Sequence, residues 1–241
     1  MQKISGAQAQ IDAQLDGIRL VASAFAGSWL HHSNPSDRLP KVFSKLAISC
    51  DDAISEFERQ RVATGDTFTL ACKSGCDYCC RQFVVATPME VFALVAWLKE
   101  NRTPSEIDQI RQRANSYLEL FLDNDPSLLN YPCPVLEGGM CQGYGGRPFI
   151  CRGYHSFNLE ACEKKYEKGD SSTTIPFNRP AYLTAAYMRI SVAARIADLK
   201  YPSAQVFLGP ALAVVLRLDD GLERWLKGEN LFSGLEFKGS T

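Results

Sequence analysis

Apolar residues recur at helical spacing through the first part of the chain. Ile11, Leu15, Ile18 and the Leu20–Val21 pair make one stripe that continues towards Leu30. The turn formers His31-His32-Ser33-Asn34-Pro35-Ser36 break it. A second stripe, Val42, Phe43, Leu46, Ile54 and Phe57, predicts a helix from about Leu39 to Val62. Phe68 to Ala71 reads as a short extended lead-in, and Arg81 to Ala86 as a strand or loop. Thr87-Pro88-Met89-Glu90 is the clearest helix start: an N-cap threonine, proline at the first helical position and glutamate at the third complete a capping box. Val91, Leu94, Val95 and Leu98 give that helix its buried face. Thr103-Pro104-Ser105-Glu106 repeats the signal, with Ile107, Ile110, Ala114, Tyr117, Leu118 and Phe121 turned inward.

Regular pattern then stops from Asp123 to Gly153. Pro126, Pro132, Pro134, Gly138, Gly139, Gly143, Gly145, Gly146 and Pro148 rule out a long helix there. Further on, Asn158 caps a short charged helix ending near Gly169, and residues 170–179 form a polar loop. Arg179 to Leu199 reads as a long helix with Tyr182, Leu183, Tyr187, Ile190 and Ala194 along it. Between Val206 and Leu216 a helix starting at Pro210 is expected rather than a strand, and Asp219-Asp220 opens a last helix with acids at its positive end. The expected fold is mainly α: a single domain over residues 1–241, with helical flanks at 1–65 and 179–230 around an irregular centre. A long irregular segment inside a compact domain calls for a staple or a function.

The cysteines supply the candidate staple. Of nine, four lie in Cys72-Lys73-Ser74-Gly75-Cys76-Asp77-Tyr78-Cys79-Cys80; Cys133, Cys141 and Cys151 stand in the irregular segment, and Cys162 follows. Such density serves disulfides, redox chemistry or metal. The N-terminus has no secretory pattern, so a cytoplasmic location and reduced thiols are expected. Thiolates suit zinc and iron–sulfur clusters, and Cys76-Asp77-Tyr78-Cys79 is a C-x2-C turn that Gly75 gives the backbone freedom to enter. Side chains of the adjacent Cys79 and Cys80 diverge, which suggests two nearby metals, or one ion with a thiol outside its ligand set. The expected metal ligands are Cys72, Cys76, Cys79, Cys80, Cys133, Cys141, Cys151 and Cys162. Of these Cys162 is the least anchored, with His155 its alternative. Cys50, in a helical stretch, is expected to be a buried apolar group.

Three blocks carry a resemblance: Cys72-x3-Cys76-x2-Cys79-Cys80, then Cys133-Pro134-Val135-Leu136, then Cys141-x2-Tyr144-x2-Arg147-Pro148-x2-Cys151-Arg152. They resemble the YkgJ-type cysteine-cluster family, described as zinc- or iron-chelating, over about a third of the chain. Val135 stands where that family more often has an aromatic residue. The resemblance implies zinc or iron as the bound metal, and the metal ion as the partner. The flagellin lysine methylases share a similar cysteine pattern, which brings in an iron–sulfur enzyme as the alternative. Cys72-x3-Cys76-Asp77-Tyr78-Cys79 also fits the cluster motif of radical S-adenosylmethionine enzymes, yet no repeated strand–helix units follow it. A passive metal carrier, store or sensor is a third class.

Composition narrows this further. With 46% apolar and 22% charged residues and a formal charge of −1, the chain has an ordinary globular composition and no basic field for nucleic acid. No run of about 18 apolar residues would span a membrane. Eight thiolates around two zinc ions would carry a charge of about −4, and Lys73, Arg81, Arg147 and Arg152 stand beside the ligands to offset it or to bind an anion. Tyr144 and Tyr154 have packing or ligand contact open to them. The His31-His32 pair reads as a solvated turn.

Overall fold

The computed structural model describes residues 2–123 and 131–239, with side chains from Asp12 onward. It is mainly α. Two long helices, α1 (Gln2–Leu30) and α2 (Pro35–Ala63), pack on each other and on α7 (Arg179–Asp198). The helical flanks of the sequence are therefore one scaffold, closed across the whole chain. Trp29 at the end of α1 stacks on Trp225 of α9 (Gly221–Leu226), ring centroids 5.8 Å apart. The two indoles are pinned by hydrogen bonds to the Pro35 and Pro202 carbonyls.

The second helix starts four residues earlier than the apolar stripe indicates. Asn34 accepts from the Asp37 N–H and Pro35 occupies the first turn, so the residues that break α1 also begin α2. Pro40 lies inside α2 without a backbone hydrogen to donate.

Between the flanks, β1 (Val85–Ala86) leads straight into α3 (Pro88–Asn101) and pairs antiparallel with β4 (Val206–Phe207), Val85 opposite Phe207. β4 in turn opens α8 (Leu208–Val215), which packs on α3 and on α4 (Pro104–Asp123). The helix expected from Pro210 thus begins at Leu208, behind a two-residue strand. The capping box at Thr87 and Glu90 forms as the sequence predicts, and Val91, Leu94, Val95 and Leu98 are buried. Ile110, Ala114, Tyr117 and Phe121 bury the inner face of α4.

In α7 the apolar residues read along the helix are not the ones its packing buries most deeply. Ile190 is 50% exposed and Ala194 is exposed, while Ala181, Ala185, Met188, Val192 and Ile196 are fully buried. The helix is enclosed by α1, α2 and α5 (Phe149–Gly153), so its small residues, rather than its aromatics, set the approach distance.

The segment expected to be irregular holds more structure than its glycines and prolines suggest. Residues 124–130, including Pro126, lie outside the described residues. After them β2 (Leu136–Glu137) and β3 (Met140–Cys141) form a hairpin around Gly138-Gly139, both at positive φ. A 3-10 turn at Tyr144–Gly146 and the short α5 follow, and Val135, Phe149 and Ile150 enter the main core. The short helix α6 (Leu159–Tyr166) is capped by Asn158 as expected.

Candidate metal centre

Cys72 and Cys76 precede a 3-10 turn, Tyr78–Arg81, that carries Cys79 and Cys80. Gly75 enters this stretch at φ +83°, and Cys76 N–H donates to the Lys73 carbonyl. Cys133 and Cys141 lie on either side of the hairpin turn, Cys151 is in α5 and Cys162 in α6. All nine cysteines are free thiols. Cys50 stands apart: it is fully buried in α2, and burial, with Asp51 beside it, pushes its thiol up to about 12. That matches its expected apolar role.

Backbone contacts tie the other segments together. The Cys133 N–H donates to the Cys80 carbonyl at 2.8 Å, fastening the hairpin to the 3-10 turn. Val135 N–H faces the Cys133 sulfur and Gly143 N–H the Cys141 sulfur. Ser156 stands between two thiols: its N–H donates to Cys72 Sγ at 3.2 Å, and its hydroxyl, which donates to the Asn158 carbonyl at 3.1 Å, lowers the Cys162 thiol against the larger effect of burial. Tyr78 packs against the small satellite core of Ala161, Cys162, Tyr166 and Ile175. Cys133, Cys141 and Cys151 pack instead against the main core.

Mutual proximity shows in the thiol acidities. A hydrogen bond with Cys80, then burial, pushes the Cys79 thiol up. Cys79 in turn raises Cys72, Cys133, Cys141, Cys151 and Cys162, behind the larger effect of burial at each. Cys133 reaches about 12. The central turn is thus electrostatically coupled to every other segment of the set.

The cations are arranged differently from the sequence expectation. Arg147 lies over the Tyr144 ring, 3.7 Å from its centroid, and its charge lowers Cys141. Arg152, only 4% exposed, pairs with Asp51 at 2.6 Å and donates to the Arg147 and Gly145 carbonyls, so it brackets the loop backbone. Arg81 pairs with Asp77, and Lys73 is exposed. Two cations remote in sequence act on the thiols alongside Arg147: Arg102 on Cys141 and Arg113 on Cys133. They are held there by hydrogen bonds to the Gln142 and Pro134 carbonyls. Nothing adjacent in sequence marks them.

His155 faces Arg147, Glu58 and Asp51, and burial lowers its pKa. Its buried Nδ1 has no hydrogen-bond partner among the described residues. Tyr154 stacks on Phe177 and places its hydroxyl 3.4 Å from that of Tyr166, whereas Tyr144 is 63% exposed. His32 accepts from the Asn34 N–H and so belongs to the turn before α2.

Among the described residues no group of three or more His, Cys, Asp or Glu side chains is arranged to hold a metal ion. The thiols stand as neighbours and not as a closed cage. The donor chemistry nevertheless suits a soft metal: free sulfurs with backbone N–H groups aimed at several of them, and arginines alongside. Among the described residues no helix is long and apolar enough to cross a membrane. No family model, curated protein or solved structure matches the chain.

Proposed function

We propose that this protein binds zinc or iron through the thiolates of Cys72, Cys76, Cys79, Cys80, Cys133, Cys141, Cys151 and Cys162, in a reducing, cytoplasmic setting. One observation carries the reading. Eight cysteines from four separate stretches gather around a single 3-10 turn, while the ninth is sequestered in the helical scaffold. Burial and mutual repulsion make Cys72, Cys133, Cys141, Cys151 and Cys162 hard to ionise unaided, and a bound cation supplies the missing positive charge by displacing their protons. The motif resemblance to YkgJ-type proteins supports the same reading, and zinc is the metal most often held by closed four-cysteine sites.

Anaerobic purification, followed by visible absorption and assays of zinc, iron and sulfide, tests the proposal. A colourless protein carrying tightly held zinc is the expected result. A brown protein with matching iron and sulfide would move the function to an iron–sulfur enzyme of the lysine methylase kind. Metal-free protein with eight titratable thiols would remove the proposal altogether.

A further inference from the structure

We infer that a cavity between α2, α3 and the Tyr144–Gly146 turn binds a free α-amino acid with an apolar side chain. The site is separate from the thiols and does not rest on the metal-binding reading. The cavity has a volume of about 420 Å³, and no cysteine lines it. That volume lies within the range of small-ligand pockets.

The floor of the cavity is apolar. Phe43 of α2 and Ala93 of α3 are buried there, and Trp97 of α3 makes one wall. The turn presses directly on that wall. A β-carbon at Gly145 or Gly146 would come within 2.7 Å of the Trp97 side chain, so two consecutive glycines let the backbone lie against the indole. Arg102 stands over the same ring, 5.5 Å from its centroid, and helps to hold it in place.

The rim carries polar groups that the fold leaves uncommitted. Lys41 from α2 and Glu100 from α3 line the cavity and are exposed, and among the described residues neither makes an ion pair. The Trp97 indole N–H has no acceptor among the described residues, whereas the indoles of Trp29 and Trp225 are bound to proline carbonyls.

An apolar floor beneath one cation, one anion and one N–H donor selects a ligand that carries both charges close together above a hydrocarbon or aromatic group. A free α-amino acid holds its ammonium and its carboxylate on one carbon. Its carboxylate would meet Lys41 and the indole N–H, its ammonium would meet Glu100, and its side chain would reach Phe43. A peptide terminus offers only one of the two charges.

The test titrates L-phenylalanine into the full-length 15N-labelled protein and follows the indole N–H signals by NMR. Trp29 and Trp225 are fully buried and already hydrogen-bonded, so the Trp97 signal, assigned with Trp97→Phe, should move alone. A dissociation constant on the order of 1 mM is expected for a ligand of this size. L-Phenylalaninamide, which lacks the carboxylate, and N-acetyl-L-phenylalanine, which lacks the ammonium, should each bind about five-fold more weakly. Lys41→Gln should weaken phenylalanine to the level of the amide and leave the amide's own affinity unchanged; Glu100→Gln should do the same with respect to the acetylated compound. Both substitutions lie on the exposed rim, away from the core. No movement of the Trp97 signal, equal affinity for all three compounds, or a Lys41→Gln effect that is the same on phenylalanine and its amide would overturn the inference. Each of these results would leave the thiol site untouched.

Discussion

Glu90 does two jobs with one buried carboxylate. One oxygen accepts the Thr87 N–H at 2.6 Å and closes the capping box of α3; the other accepts the Phe149 N–H at 2.8 Å and caps α5. Two residues beyond Phe149 stands Cys151, so the same side chain fixes the start of a helix and the entry to the thiol cluster. Glu90→Ala would leave both N–H groups buried and unsatisfied, at a cost of about 2–5 kcal/mol. Chemical denaturation measures it, and a loss below about 1 kcal/mol would show that neither bond carries weight. Among the thiols, Cys76→Ser should empty metal from the chain. Cys50→Ser should retain it, for a packing loss of about 1 kcal/mol in α2. The reverse pattern in metal content would undo the ligand assignment. What the sequence disclosed at this scale was local. Thr87 and Glu90 sit three residues apart and announce their bond, but the Phe149 contact spans 59 positions and leaves no pattern. Arg102 and Arg113 were illegible for the same reason: they reach the thiols through the fold, not along the chain.

At the scale of elements, α5 is pressed onto α7 at Gly153. A β-carbon there would come within 2.7 Å of the Ala185 β-carbon, so Gly153→Ala must push the two helices apart. The expected penalty is about 1–3 kcal/mol, read as a lowered denaturation midpoint. An unchanged midpoint would mean that the approach is not tight. The end of α2 is joined to the start of α7 by Glu58, which pairs with Arg61 and accepts from Asn178, the residue that caps α7. The hydrogen bond from Arg61 holds the Glu58 carboxyl below its ordinary value of 4.5. The folded-state pKa is depressed, so the stabilisation is present above the unfolded pKa and is lost as pH falls through the folded one. In a comparison of denaturation midpoints across acidic pH, Glu58→Gln should remove that part of the slope. Identical slopes for the two proteins would contradict this linkage. Element starts were partly readable. The Thr-Pro logic that marks α3 also operates at Asn34-Pro35, where proline reads more readily as a breaker than as the first residue of α2. The Gly138-Gly139 hairpin was equally open to reading, but the surrounding prolines masked it.

Over the whole molecule, the two ends of the chain build a helical scaffold and the thiols gather in the segments it carries. Helical periodicity made the scaffold legible. The buried face of α7 was not, because a helix enclosed by three neighbours shows no single stripe. Cysteine spacing made the proposed ligands legible as a list, while the way their segments meet depends on contacts between distant parts of the chain. If metal joins those segments, its removal should loosen them first. Strong chelation at neutral pH should open residues 131–147 to protease before the helix that begins at Pro88, and equal resistance with and without metal would count against a structural role. The central claim, that sulfur alone holds the metal, is tested most directly by X-ray absorption at the metal edge of the purified protein. The account predicts a first shell made only of sulfur, at about 2.3 Å if the metal is zinc. A shell dominated by nitrogen or oxygen, or a protein with no metal to measure, would contradict it.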